Sequence, residues 1–273
     1  MPIGAPDYVA FASDVAREAG AVLMRHYRSV GVEYKGSFDT VTAADRASER
    51  LVVDRIRARF PAHSIVAEEG GGFDAGDEFT WYVDPLDGTT NFAHGLERFC
   101  VSIGLWSRSG GLAGAVFDPV RDDLFAAEVG SGAYLNSRRV RVSDVSELAN
   151  GLFATGFPSS IRDTNPNLHY YHEVARCTHG VRRTGSAALD LCAVAQGHFD
   201  GFWELGLKSW DVGAGLVVLT EAGGEFFALD GGTYRPGGPG VVATNGRVTA
   251  ALLDLLGDVS SGRRRTPIPS PVA

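Results

Sequence analysis

The sequence predicts an α/β protein of the α+β kind. Two helix-period segments open the chain, six short apolar runs separated by glycine-containing turns follow, and the second half alternates strand-like with helix-like stretches. A length of 273 residues, 44% of them hydrophobic, is enough to bury a full core as one large domain or two intimately packed lobes.

Asp7 is placed to cap a first helix reaching about Tyr27, because Tyr8, Ala12, Val15, Ala19 and Val22 share one face while Arg17, Glu18 and Arg25 lie elsewhere. Thr42 with Asp45 resembles a capping box opening a second helix, which stops before Pro61 and leaves Asp45 in its first turn. Strands are expected at Ser64–Ala67, Phe79–Val83, Cys100–Trp106, Leu112–Phe117, Leu124–Glu128 and Ala133–Leu135, forming a mostly antiparallel sheet. Beyond it, Leu152–Thr155, Gly180–Arg183, Phe199–Glu204 and Gly240–Thr244 read as strands. Ser186–Ala195, Trp210–Ala222 and a last segment read as helices. The polar stretch Ser159–His172 reads as a surface excursion. Residues 1–145 thus form an expected N-terminal α+β lobe and 146–258 a C-terminal α/β lobe. Residues 259–273, with Arg263 to Arg265 and prolines at 267, 269 and 271, form an expected flexible tail.

A formal charge of −8 argues against a nucleic-acid surface as the main function. Cys100, Cys177 and Cys192 lack Cys-x-x-Cys spacing and read as reduced thiols of a cytoplasmic protein. No signal-like N-terminus or membrane-length apolar run is visible, so neither targeting nor a membrane partner is expected. His169 and His172 have no Cys or acidic companion and are read as loop residues rather than zinc ligands. Arg138, Arg139, Arg141, Arg182 and Arg183 are read as solvated face residues able to steer an anion. Gly70 to Gly72 lack P-loop spacing.

The richest chemistry lies in Trp81-Tyr-Val-Asp-Pro-Leu-Asp-Gly-Thr-Thr-Asn-Phe92, where an apolar strand is expected to break on Pro85. Asp84 and Asp87 can turn towards one point, and Gly88 permits the tight turn between them and a helix start. The free amides of Thr89, Thr90 and Asn91 would then face the carboxylates. An anion cradle beside hard-oxygen ligands implies phosphate chemistry that depends on Mg²⁺. Glu68-Glu69, Asp45 and Asp211 are further acids able to join them in the fold. Taken alone, each has an ordinary reading as a turn residue, solvated strand end or helix cap, and only the set promotes them.

In order along the chain, Val41-Thr-Ala-Ala-Asp45, Ala67-Glu-Glu69, Asp84-Pro-Leu-Asp-Gly-Thr-Thr-Asn-Phe92, Thr155-Gly-Phe-Pro158, Arg183-Thr-Gly-Ser-Ala187 and Trp210-Asp-Val-Gly-Ala-Gly215 resemble segments of the inositol monophosphatase family. The resemblance covers roughly residues 7 to 255. It implies a layered α-β-α-β-α sandwich of the inositol monophosphatase and fructose-1,6-bisphosphatase type, commonly a homodimer, inhibited by lithium. Carried over residue by residue, Glu68, Asp84 and the carbonyl of Leu86 would hold one Mg²⁺, and Asp84, Asp87 and Asp211 a second. A weaker third ion would sit near Glu68. Glu68 and Thr89 would orient or deprotonate the attacking water, with Asp45 accepting a hydrogen bond from Thr89. Gly88 to Thr90 would hold phosphate oxygens, and Asp87, Gly185, Ser186, Ala187 and Glu204 would contact a polyol.

Four segments depart from the family pattern. The Lys35-Gly-Ser-Phe-Asp39 loop is short, Ala67 stands where glycine is common, Leu96-Glu-Arg-Phe99 replaces a Phe-Pro pair, and Leu207-Lys-Ser209 precedes Trp210. The expected activity is hydrolysis of inositol monophosphate or a related small polyol phosphate. Histidinol phosphate, fructose 1,6-bisphosphate and nucleotide 2′- or 3′-phosphates are alternatives, as is a regulatory, protein-binding role on the same fold.

Overall fold

The structure, a computed structural model, describes residues 7–27, 32–34, 40–76, 78–158 and 164–267. The Lys35–Asp39 loop and residues 159–163 and 268–273 lie outside the described residues, as does the side chain of Thr42.

Helix α1 (Tyr8–His26) starts where Asp7 Oδ1 accepts the Ala10 amide at 2.9 Å. Strands β1 (Val32–Tyr34) and β2 (Thr40–Thr42) form an antiparallel pair before α2 (Ala43–Arg59). A seven-stranded sheet follows: β3 (Ser64–Ala67), β4 (Thr80–Asp87), β5 (Cys100–Ser107), β6 (Gly110–Asp118), β7 (Asp123–Glu128), β8 (Gly132–Leu135) and β9 (Arg138–Val140), paired in chain order. Only the β3–β4 pairing is parallel. The one-turn-long helix α3 (Thr89–Ala93) sits between β4 and β5.

The second sheet has the order β11-β10-β12-β14-β13, from β10 (Leu152–Thr155), β11 (Gly180–Arg182), β12 (Gly201–Leu205), β13 (Glu225–Ala228) and β14 (Gly240–Thr244). Its helices are α4 (Asn167–Cys177), α5 (Ala187–Ala195), α6 (Ser209–Glu221) and α7 (Thr249–Ser260).

Strand alternation produces the layers. On β10, β12 and β14, Ala154, Phe202 and Val241 join a core with α5 and α6, whereas their neighbours Phe153, Trp203 and Val242 join a core with α4 and α7. On the first sheet, Ile103 and Ala115 face α1 and α2, while Val116 and Phe125 face α5 and α6. The chain is therefore a five-layer sandwich, with α1/α2, sheet, α5/α6, sheet and α4/α7 in succession.

Helix α6 lies on the first sheet almost backbone to backbone. A Cβ at Gly104 would meet the Gly213 carbonyl carbon at 2.5 Å, and one at Gly114 would meet the Ala214 oxygen at 2.6 Å. Trp106 Nε1 donates to the Gly213 carbonyl at 2.7 Å, adding a side-chain bond from the sheet to the helix backbone.

Several sequence expectations are corrected. Strand β4 does not break on Pro85; it runs on to Asp87 through an irregularity between Asp84 and Asp87, the kind of bulge that tolerates a proline. The excursion expected over Ser159–His172 contains the start of α4, which carries His169 and His172. Its inward residues Asn167, Tyr170, Glu173 and Val174 are half polar, which hid the helical period. Strands β9 and β13 were not anticipated, being short and rich in charge or glycine-flanked. The expected tail is held as far as residue 266: the Thr266 amide and Arg264 Nε bond Glu173 at 2.6 and 3.0 Å.

Candidate active site

The end of β3, the bulge of β4, and the starts of α5 and α6 deliver the acidic residues to one region. Asp45 comes from the first turn of α2, and its carboxylate oxygen, with one from Glu68 and one from Glu69, lies in a group mutually within 4.8 Å. No other such group of His, Cys, Asp or Glu converges among the described residues, so His169 and His172 take part in none. At that separation unscreened like charges repel by a few kcal/mol per pair at an effective dielectric of about 20. The sequence offered Glu68-Glu69 together as an acidic cluster, and the ligand set the resemblance implied used Glu68 alone; the structure brings Glu69 into the same group.

Asp84 is 2% exposed, and its Oδ1 accepts the Leu86 amide at 3.0 Å across the bulge. Burial, then the charges of Glu68, Asp87, Asp211 and Asp45, push its carboxyl well above the usual range. Asp211 stands in the first turn of α6, where Oδ2 accepts the Lys208 amide at 2.6 Å. Burial is again the largest cause, aided by Asp87 and Glu68 against the Lys208 hydrogen bond, and its pKa is pushed up to about 8. These groups press on one another without cationic side chains among the causes of Asp84's shift. Hard oxygen donors in that condition suit a divalent cation, which relieves desolvation and repulsion together.

Asp87 is arranged differently. Its Oδ2 accepts Ser186 Oγ at 2.7 Å and the Ala188 amide at 2.8 Å, leaving Oδ1 outside these two bonds. Burial raises its pKa, and these donors with Arg98 oppose the rise. Ser186 also caps α5, so its hydroxyl is turned inward to Asp87 and the Leu189 amide. Cys100 lies 3.9 Å from Asp87 Oδ2, where burial and then Asp87 and Asp84 drive its thiol pKa well up and keep it protonated. All three cysteines are free.

Thr89 differs from expectation: its hydroxyl donates to the Leu86 carbonyl at 3.0 Å, not to Asp45. Gly88 adopts a left-handed conformation (φ 95°), and a Cβ there would meet the Arg98 oxygen at 2.9 Å. Asn91 Nδ2 donates to the carbonyls of Arg98 and Thr184 at 2.8 and 2.9 Å, tying α3 to two loops.

A cavity of about 160 Å³ is lined by Asp87, Gly185, Ser186, Ala187, Glu204 and Asp211, with Thr155, Gly156, Phe157, Arg183, Asp190 and Leu207. Glu204 is 8% exposed, and burial followed by Asp211, Asp190 and Asp87 raises its pKa well above normal. Asp190 was missed in the sequence. It accepts Arg98 Nη2 at 2.8 Å and Thr184 Oγ1 at 2.6 Å, and burial raises its pKa to about 6 against the pull of Arg98. The partners are 92 residues apart, and no local spacing signals the pair.

The chain matches the model of the inositol monophosphatase family over residues 6–260. It is 39% identical to the inositol-1-monophosphatase of Synechocystis over 91% of this chain and 88% of that one. It is 40% identical to the Nus factor SuhB of Pseudomonas aeruginosa over 87% and 91% respectively. A solved inositol monophosphatase from Anabaena superposes with a TM-score of 0.83 at 42% identity, covering 92% of this chain and 95% of that chain.

Proposed function

This chain belongs to the inositol monophosphatase family, and from that premise we propose that it is a Mg²⁺-dependent phosphomonoesterase acting on inositol monophosphate or a similarly small polyol phosphate. The observation that carries the reading is the opening of the acidic cluster onto the small polar cavity: Asp87 and Asp211 belong to both. The cavity, about 160 Å³ and lined mainly by polar groups, has room for a small polyol.

In this reading Glu68, Asp84, Asp87 Oδ1, Asp211 and the Leu86 carbonyl hold the cations. When bound, divalent ions lower the pKa of water and balance charge on both the entering and leaving oxygens. Glu68 and Thr89 would orient the attacking water, with Glu68 as the acceptor of its proton. Release of the Thr89 hydroxyl from Leu86 would let it turn to Asp45 and accept from that water. Amides at Gly88 to Thr90 receive phosphate oxygens. The hydroxyls of the polyol meet Glu204, Gly185 and Ala187, while Ser186 acts by holding Asp87. The enzyme is taken as a lithium-sensitive homodimer, as the family resemblance implies, and as cytoplasmic, as its free cysteines suggest; light scattering in solution tests the dimer.

Phosphate release from inositol 1-phosphate, histidinol phosphate, fructose 1,6-bisphosphate and adenosine 3′,5′-bisphosphate, with Mg²⁺ and with EDTA, tests the function. Inositol 1-phosphate should give the highest kcat/KM and EDTA should abolish turnover; Mg²⁺-independent release or a preferred nucleotide would sink the proposal. A second, regulatory role is favoured by one observation, the 40% identity to a relative named Nus factor SuhB. Asp84→Asn separates the two, since it should remove hydrolysis and leave any protein-binding surface intact.

A further inference from the structure

Helix α2 does more than present Asp45. One turn later, Glu49 lies on the same helical face, 5% exposed, with its carboxylate aimed at the loop that carries Glu68 and Glu69. Its Oε2 accepts the Glu69 amide at 2.6 Å and its Oε1 accepts the Gly71 amide at 2.8 Å. The approach is close enough that a Cβ at Gly71 would stand 2.8 Å from Oε1. Arg57, two turns further on, donates to the Gly71 carbonyl at 3.3 Å. The base of the loop is closed separately, by paired backbone bonds between Ile65 and Phe73 at 2.7 and 2.8 Å. Between Asp45 and Glu49, Ser48 Oγ donates to the Pro85 carbonyl at 2.9 Å, inside the bulge that carries Asp84 and Asp87.

Three neighbouring positions of one helix therefore touch both ligand-bearing segments. The like charges of Asp45, Glu68 and Glu69 tend to push the 68–71 loop off the helix, and the two charge-assisted bonds to Glu49 oppose that push. We propose that Glu49 is a positioning residue for the divalent-cation centre, holding the Glu68–Glu69 loop at the spacing from Asp45 and the β4 bulge that cation binding requires. This rests on reading the acidic cluster as the cation site. Outer groups that orient ligands in this way typically change metal affinity by about 10- to 100-fold.

The test compares full-length wild type, Glu49→Gln and Gly71→Ala. The glutamine side chain of the first variant would keep one acceptor and turn an N–H towards the second amide. Gly71→Ala disturbs the same contact from the loop side, at a backbone position without left-handed geometry. Mg²⁺ binding is measured by calorimetry without substrate, unfolding is measured in EDTA, and phosphate release from inositol 1-phosphate is measured against Mg²⁺ concentration. Both variants should weaken the Mg²⁺ Kd and the half-activating concentration about 10-fold. At saturating Mg²⁺, kcat and KM should stay within about 3-fold of wild type. An unchanged Mg²⁺ Kd, whether or not the Tm in EDTA falls, would overturn the proposal. Should Glu49→Gln fail to fold, Gly71→Ala decides alone. Wild type that binds Mg²⁺ yet releases no phosphate would count against the proposed activity, while the calorimetric comparison still decides Glu49. Wild type that binds no Mg²⁺ would overturn both.

Discussion

Asp84 and Asp87 are three residues apart in one bulge, yet they live in opposite surroundings. Asp84 faces Glu68, Asp211 and Asp45, with the Leu86 amide as its donor. Asp87 faces Ser186, the Ala188 amide and the field of Arg98. The same pattern extends outwards: Asp45, Glu68 and Glu69 crowd one another, whereas Asp190 is given Arg98 and Thr184. Acids gathered against acids have charge left for cations, acids fully supplied with donors such as Asp190 form a frame, and Asp87 joins the two, with Oδ2 held by donors and Oδ1 outside those bonds. The contrast teaches that carboxylate count says less about a site than what each carboxylate is given to bind.

The largest break in that contrast should come from Asp84→Asn. Turnover should fall by more than about 100-fold, beyond the usual effect of an outer-shell change. In EDTA, however, the variant should unfold at the same or a higher temperature, because one charge has left a crowded site; a lower Tm in EDTA would show that Asp84 stabilises the apo fold.

Acidity offers the next test. Asp211 binds its proton more tightly folded, with a pKa of about 8, than at its ordinary value of 3.8, so the folded state holds more protons between those values. Stability of the metal-free protein from this group is thus complete below about pH 4 and lost as pH rises towards 8. Calorimetry should show Mg²⁺ affinity rising over the same range with proton release, since ligands bind deprotonated. A pH-independent affinity would remove Asp211 from the site.

Ser186→Ala sharpens the other side. Losing a helix cap and a donor to Asp87 should cost about 1 kcal/mol in denaturant unfolding and roughly 10-fold in activity. An effect on stability alone would make Ser186 a cap and nothing more.

The smallest change is expected at Glu173, far along α4. Burial works against its charge, but the Thr266 amide and Arg264 outweigh it and lower its pKa to about 2. Its stabilisation is present above about pH 4.5 and lost as pH falls towards 2. Glu173→Gln should leave kcat within about 2-fold and hasten tryptic cleavage at Arg264 and Arg265, read by mass spectrometry. Unchanged cleavage would mean that other contacts hold the segment.

What could be read from the sequence was whatever signals itself locally. Asp84-Pro-Leu-Asp-Gly is such a signal, as is the pair Glu68-Glu69 at a strand end. Strands Ser64–Ala67 and Leu152–Thr155 fall where their apolar runs put them. Glu49 was silent, because a glutamate among Arg46, Arg50 and Arg57 has the composition of a solvated face. Asn167 was equally silent. It donates to Thr155 Oγ1 and the Gly156 carbonyl and accepts Trp203 Nε1, all between 2.6 and 2.8 Å, contacts that exist only after three elements meet. The continuation of β4 through Pro85 was hidden for a related reason: a proline reads as a stop until a neighbouring strand shows that the missing donor is not needed.

The glycine contacts under α6 set how this molecule can move. With α6 main chain close against the sheet at Gly104 and Gly114, and Gly213 fitted against the Tyr82 side chain, this stretch of the helix sits on the sheet with little side-chain bulk between them. Asp211 rides on that helix and Asp84 on that sheet, so their spacing behaves as a stiff gauge. Amide hydrogen exchange should be slowest along the inner turns of α6, where Val212 to Leu219 are all buried. A gauge of this kind would discriminate between divalent cations by ionic radius, favouring short, regular bonds over longer, variable ones.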